Sequence, residues 1–287
     1  MDRSTIEKTL FISDLDGTMF DKTPVLSDEC IRHIRTLNEA GVRLTFSTAR
    51  TYRTVDRILK DVPTPIPVSL MNGAMIRDLN NGQNRVVHRI GREVSEKMKE
   101  LFLRIGFLPL VYRVKGNEMM TYYTELATDE MKEFVRERRE EFNKPFIHVG
   151  AEELLSPDPE PLGDIMYYCA MTDGDKAGAV YDELSTVEGI IASAYNDNSK
   201  DVWYVEAFSP DASKKNAVRC LKKLTGAETV VSFGDNRNDL PMFEVSDLCF
   251  SPINAKEEVL SRADGAVDVP GKCGVTRKIA EMCGVEL

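Results

Sequence analysis

Short apolar runs that end in acids or glycine alternate with segments of helical period over roughly the first eighty residues. Thr9–Ser13 reads as a buried strand, and Val42–Phe46 and Val68–Met71 as two more. Ser27 is placed to cap a helix, with Asp28 and Glu29 in its first turn, Ile31, Ile34 and Leu37 on its apolar face, and Gly41 past its end. A second helix is expected near Tyr52–Lys60, followed by a rigid proline-rich connector from Val62 to Pro67. Alternation of this kind predicts a parallel sheet with crossover helices.

After Asp78 the pattern changes. Asn80-Asn81-Gly82 is a hairpin signal. Helices are expected near Arg92–Ile105, Thr128–Phe142 and Asp175–Ser185, and strands near Leu110–Val114, Met119–Tyr123, Ile165–Met171, Ile190–Ala194 and Val202–Ala207. Gly150–Gly163, acidic and carrying Pro157, Pro159 and Pro161, reads as an exposed loop. The block predicts a mixed α/β insert of antiparallel strands with helices on one face. From Ser213 the earlier alternation returns. An amphipathic helix opens at Lys214 with Val218, Leu221 and Leu224 on one face, and a strand ends in Phe233.

Polar residues gather where these apolar runs stop. Asp14 and Asp16 follow Leu10–Ser13 at a spacing that, in extended chain, points both to one side. Two such charges repel by roughly 4 kcal/mol at an effective dielectric near 20, which a cation or a shared proton would relieve. Gly17 and Thr18 come next. Thr48 stands past Phe46, Lys214 at a helix start, and Asp235, Asn238 and Asp239 past Phe233. Singly, Thr48 and Asp239 also suit helix caps and Lys214 a solvated surface. Together they occupy the strand ends where an open α/β sheet forms its ligand crevice.

Composition narrows the partners. The 287 residues suit one or two domains, and the apolar fraction of 42% with 29% charged residues is that of a soluble globular chain. With 37 basic and 47 acidic residues the formal charge is −10, and no basic run interleaves with aromatics. Nucleic acid is therefore not expected as a partner. Six scattered cysteines without a C-x-x-C pair, and only three histidines, argue against zinc and for a reduced, cytoplasmic protein. The apolar stretches are too short or too interrupted for a signal segment or a membrane span, so no membrane partner is expected.

The motifs resemble those of the haloacid dehalogenase (HAD) superfamily of phosphohydrolases, Cof type. Asp14-Leu15-Asp16-Gly17-Thr18 matches the first motif letter for letter, and Gly234-Asp235-Asn236-Arg237-Asn238-Asp239 fits the fourth in full. Ser47-Thr48-Ala49-Arg50 resembles the second, with Ala49 in place of glycine, and Ser213-Lys214 the third, with Lys215 where glycine is common. Asn72-Gly73-Ala74 and Asn254-Ala255 fit two lesser signatures. The resemblance implies a doubly wound, Rossmann-like parallel-sheet core with an inserted α/β cap, here residues 1–82 and 202–287 for the core and 83–201 for the cap. It implies hydrolysis of small phosphorylated metabolites through an aspartyl-phosphate. The alternatives are a phosphosugar mutase or a phospho-accepting signalling protein.

By the same resemblance, Asp14 is the nucleophile and Asp16 the general acid and base. Mg²⁺ is the implied cofactor, held by the Asp14 side chain, the Asp16 carbonyl and Asp235. Thr48, the Ala49 amide, Lys214 and Asn238 hold the phosphoryl group, while Asp239 orients Lys214. Lys215 is expected to face water.

Overall fold

The computed structural model describes residues 1–21, 23–197 and 202–287, which form two compact units, Met1–Val86 with Ala212–Leu287, and Val87–Asp211. In the first unit a short helix, α1 (Arg3–Lys8), leads into β1 (Thr9–Ser13), all five residues of which are buried. A parallel strand covered on both faces needs consecutive apolar side chains, and Leu10, Phe11 and Ile12 provide them. Helix α2 (Asp28–Glu39) starts where Ser27 Oγ accepts from the Cys30 amide. Its buried stripe is Cys30, His33, Ile34 and Leu37, so Ile31 lies at the edge of the face on which it was expected. Strand β2 (Arg43–Phe46) and helix α3 (Tyr52–Ile58) follow.

Strand β3 (Val68–Leu70) does not extend the parallel pattern. It pairs antiparallel with β4 (Met75–Asp78), and with β5 (Gln83–Val87), beyond the Asn80–Gly82 turn, it forms a separate three-stranded sheet. An isolated parallel bridge, Ser47 to Ser69, ties it to the end of β2, with the Ser47 hydroxyl donating to that of Ser69 and the Thr45 hydroxyl to the Pro67 carbonyl.

The second unit contains α4 (Arg92–Ile105), β6 (Leu110–Lys115), β7 (Glu118–Tyr123), α5 (Asp129–Phe142), β8 (Phe146–His148), α6 (Ala151–Leu154), β9 (Asp164–Thr172), α7 (Gly174–Ser185), β10 (Ile191–Asp197) and β11 (Val202–Phe208). Its sheet runs in the order β10-β11-β9-β6-β7-β8. The expected boundary at residue 201 lies outside the described residues. Strand β11, which that boundary assigned to the core, pairs along its length with β10 and β9, so the unit extends to Asp211. Helices occupy both faces of this sheet rather than one. Phe102 and Leu101 of α4 and Ala177 and Val180 of α7 pack with Tyr168, Ala170 and Val205. On α5, Phe134 stacks near Tyr204, which alternates with Val205 to the opposite face.

Composition misleads for the first part of 150–163, although residues 158–161 are exposed as expected. This segment contains α6, and Leu154 and Leu155 are fully buried. Arg113, itself buried, explains how: its guanidinium donates to the carbonyls of Gly163 (2.8 Å), Leu154 (3.1 Å), Asp158 (3.3 Å) and Ser156. One planar fork thus satisfies backbone acceptors that a loop otherwise leaves to water.

Back in the first unit, α8 (Lys214–Thr225) is capped by the Ser213 side chain and ends at a left-handed Gly226. It buries Lys214, Ala217, Val218 and Leu221, while Leu224, in the last turn, is exposed. After β12 (Thr229–Phe233) come α9 (Leu240–Phe243), β13 (Leu248–Pro252), α10 (Glu257–Leu260), β14 (Gly265–Val267) and α11 (Gly274–Cys283). The parallel sheet has the order β14-β13-β12-β1-β2, and Ser13 pairs with Phe233 on one side and Phe46 on the other. That register sets the residues following all three strands at one edge. All six cysteines are free, and among the described residues no helix is long and apolar enough to cross a membrane.

Replacing Arg113 with Ala should strand several buried carbonyls and cost at least about 3 kcal/mol in urea denaturation. Limited proteolysis should then cut within 155–163; an uncut variant of unchanged stability would show that the loop holds without the guanidinium.

Candidate active site

At the shared edge of β1 and β12, Lys214 projects from the first turn of α8 with its side chain only 1% exposed. Its ammonium donates to Asp14 Oδ1 at 2.7 Å and to Asp239 Oδ1 at 2.6 Å. The other oxygen of Asp239 accepts from the amides of Asp235 (3.0 Å) and Asn236 (3.1 Å). Both oxygens of Asp239 are thus committed to shaping the turn and holding the lysine, while Asp14 keeps Oδ2 free. Thr18 donates to Asp235 Oδ1 at 2.9 Å. Two glycines make room for this. A Cβ on Gly17, whose φ is +74°, would meet Asp235 Oδ2 at 2.3 Å, and one on Gly234 would meet the Asp239 Cβ at 2.4 Å.

Oxygens of Asp14, Asp235 and Asp239 lie within 4.8 Å of one another. Three carboxylates with one ammonium leave an excess of negative charge in a dry place, and the titrations follow from it. Burial raises Asp14 well above the usual carboxylate range, Lys214 opposes the shift, and Asp239 and Asp235 add to it. Asp235 is pushed up to about 6 by burial and Asp239, against the Thr18 hydrogen bond and Lys214. Burial disfavours the Lys214 ammonium, but Asp14 and Asp239 outweigh it and its pKa is raised. An all-oxygen donor set short of positive charge fits a hard divalent cation.

Asp16 is not part of that cluster. The chain leaves the extended conformation after Ser13, so the expected same-side spacing no longer holds, and the Asp16 carboxylate turns to Arg50. Arg50 grips it through Nε at 2.8 Å and Nη2 at 2.7 Å. Thr48 is fully buried and its hydroxyl accepts from the Arg50 amide at 3.1 Å, leaving its own proton to donate. The Ala49 amide finds no acceptor among the described residues. Exposed Asn238 donates to Asn72 Oδ1 at 3.2 Å, and Asn72 sits in the left-handed region at φ 54°. Lys215 pairs with Glu244 at the surface, as expected of a lysine facing water. Arg50 and Asn72 stand in the sequence only as members of motifs, without a role of their own, because their partners lie 34 and 166 positions away and leave no local signal.

A doubly wound α/β core with acids, a hydroxyl and a buried lysine gathered at the carboxyl edge of its sheet defines an enzyme of the phosphoryl-handling kind. Residues 11–279 match the haloacid dehalogenase-like hydrolase family, and the chain belongs to it. The resemblance read from the four motifs is thereby borne out. The 5-amino-6-(5-phospho-D-ribitylamino)uracil phosphatase YwtE of Bacillus subtilis is 23% identical over 87% of this chain and 89% of its own length. The glucosyl-3-phosphoglycerate/mannosyl-3-phosphoglycerate phosphatase of Persephonella marina is 24% identical over 91% and 89%. Among solved structures, TM0651 from Thermotoga maritima superimposes with a TM-score of 0.77 at 20% identity, covering 95% and 96% of the two chains.

The raised Asp235 carboxyl has a definite sign in stability. Its contribution is full below its unfolded value of 3.8 and is lost as pH rises to about 6. In chelator, Asp235→Asn should therefore melt at the same temperature as the native protein near pH 4 but higher, by at least about 3 °C, at pH 7.5. A gap that shrinks with rising pH would contradict the repulsion.

Proposed function

We propose that the protein is a Mg²⁺-dependent phosphatase of small phosphorylated metabolites, acting through an aspartyl-phosphate on Asp14. The observation that carries this reading is the buried ammonium of Lys214 shared by Asp14 and Asp239, which aligns one Asp14 oxygen and leaves the other open. The names of the relatives YwtE and the phosphoglycerate phosphatase, both acting on phosphorylated small molecules, support the substrate class.

The free Asp14 oxygen attacks phosphorus and the bond to the leaving oxygen breaks. Asp16 gives that oxygen a proton, then takes one from the water that attacks the phosphoryl-aspartate and releases Asp14. Since Arg50 engages both oxygens of Asp16, the carboxyl must swing off the guanidinium to deliver its proton. Thr48, the Ala49 amide, Lys214 and Asn238 hold the phosphoryl oxygens, supplying preorganised donors where charge develops. Mg²⁺ held by Asp14, Asp235 and the Asp16 carbonyl would offset the clustered carboxylates and the incoming phosphate. Asp239 keeps Lys214 in place. The unit Val87–Asp211 is the cap that ranks substrates.

Free-phosphate release across a panel of phosphorylated metabolites tests the reading. Asp14→Asn, nearly isosteric, should lose turnover by at least about 10³-fold with the fold retained; substantial residual activity would remove the covalent step. Chelation should stop hydrolysis and Mg²⁺ restore it, with Ca²⁺ restoring it poorly. Arg50→Gln should lower kcat more than it raises KM, because it takes away the partner that positions Asp16 and removes no phosphate ligand. An effect on KM alone would place Arg50 on the substrate instead.

A further inference from the structure

Away from the acidic cluster, three unlike donors converge between α2 and the start of α11. Glu29 and His33 stand one helical turn apart on α2 and therefore share a face. Cys273 caps α11 and is 3% exposed. A carboxylate oxygen of Glu29, a ring nitrogen of His33 and the Cys273 sulfur lie within 4.8 Å of one another. The Thr276 hydroxyl donates to the Cys273 carbonyl at 3.1 Å and meets His33 Nδ1 at 3.0 Å. With that hydroxyl proton spent, Nδ1 carries the imidazole proton and Nε2 presents its lone pair. It faces Glu29 Oε1 at 3.7 Å, too far for a hydrogen bond.

From this geometry we infer that Glu29, His33 and Cys273 form a zinc-binding site, separate from the catalytic carboxylates, that fastens α2 to α11. Imidazole and thiolate beside a carboxylate make a donor set of Zn²⁺, whereas Mg²⁺ takes oxygen ligands. Zinc bonds near 2.0 Å to nitrogen and oxygen in tetrahedral geometry set N and O about 3.4 Å apart. The 3.7 Å separation is within a small side-chain adjustment of that value. The partners expected behind the ligands are present: Thr276 fixes the imidazole, and Arg277 donates to Glu29 Oε1 at 2.6 Å, anchoring the carboxylate while that oxygen keeps a second lone pair.

Cys273 occupies the left-handed region at φ 55°, a conformation that disfavours a side chain and that persists only where the surroundings impose it. Ser27 Oγ lies 3.6 Å from its sulfur, and the buried Cys30 thiol hydrogen-bonds it. Glu29 is 43% exposed and opens a path from solvent, so water completes the fourth position. The adjoining crevice is lined by Thr18, Met19, Cys30 and Cys273, which brings the site next to the loop whose Thr18 donates to Asp235.

Titration of the whole protein with Co²⁺, a visible stand-in for zinc, tests this in excess Mg²⁺ so that the oxygen site is occupied. One equivalent should produce thiolate-to-cobalt absorption in the near ultraviolet, and Zn²⁺ should abolish it. Cys273→Ser should lose the band. Glu29→Gln, at a partly exposed position that tolerates change, should weaken Co²⁺ binding about tenfold or more. Asp235→Asn should keep the band in full. If Cys273→Ser fails to fold, Glu29→Gln and His33→Gln decide. Absence of the band from the native protein overturns the site, as does an unchanged band in Cys273→Ser or in both of the other two variants.

Discussion

A single buried ammonium makes the rest of the core possible. Asp14 and Asp239 are both almost fully buried, and neither could be ionised there without a positive partner within hydrogen-bond reach. Lys214 serves both at once, from a helix whose own start is capped by Ser213. Because one charge cannot balance three carboxylates, the site is under-neutralised by construction. Folding tolerates this by raising Asp14 and Asp235, so that both carboxyls bind a proton more tightly than free carboxylates do while no cation is present. Ligand affinity is thus held in reserve as destabilisation of the empty site.

The parallel sheet converts that chemistry into geometry. Asp14 and Asp235 lie far apart in sequence, yet each follows the end of a strand, and the Ser13–Phe233 pairing sets the two ends side by side. The Asp14 amide donates to the Phe233 carbonyl at 2.9 Å, so the ladder runs up to Asp14 itself. Gly17 then lets the two acid-bearing turns approach to a distance that any Cβ would block, and Gly234 lets the second turn fold Asp239 back against its own start. Precision at the site therefore derives from backbone register first and side-chain choice second.

What the sequence makes legible follows from range. The strand ends, the Ser27 and Ser213 caps, and the turn at Asn80–Gly82 are local, and each is written in a few adjacent residues. The acids and Lys214 are legible because motif chemistry concentrates at those same places. The Arg50–Asp16 pair is not, because it spans 34 positions and depends on how the chain turns after Ser13. Strand β3 misleads because periodicity reports burial but not which sheet a strand joins. The stretch before Gly163 misleads in part: residues 158–161 are exposed as they read, but Leu154 and Leu155 are buried, and one distant side chain, Arg113, holds the loop by its carbonyls.

That arginine points to a contrast between the two units. In the catalytic core, buried charges answer one another, as Lys214 does Asp14 and Asp239. In the Val87–Asp211 unit they are met by neutral dipoles. Arg113 is surrounded by backbone carbonyls, and Glu206 accepts from the hydroxyls of Tyr167 at 2.6 Å and Tyr195 at 3.0 Å. Burial raises the Glu206 carboxyl, and the two phenols draw it back. A charge held by dipoles gains less Coulomb energy than an ion pair but is tied to one arrangement of its donors. Such groups are costly to remove once their partners are buried with them, and they fix the exactness of a surface. The core's charge pairs are explained by a reaction that needs them, whereas those of the second unit are explained by shape.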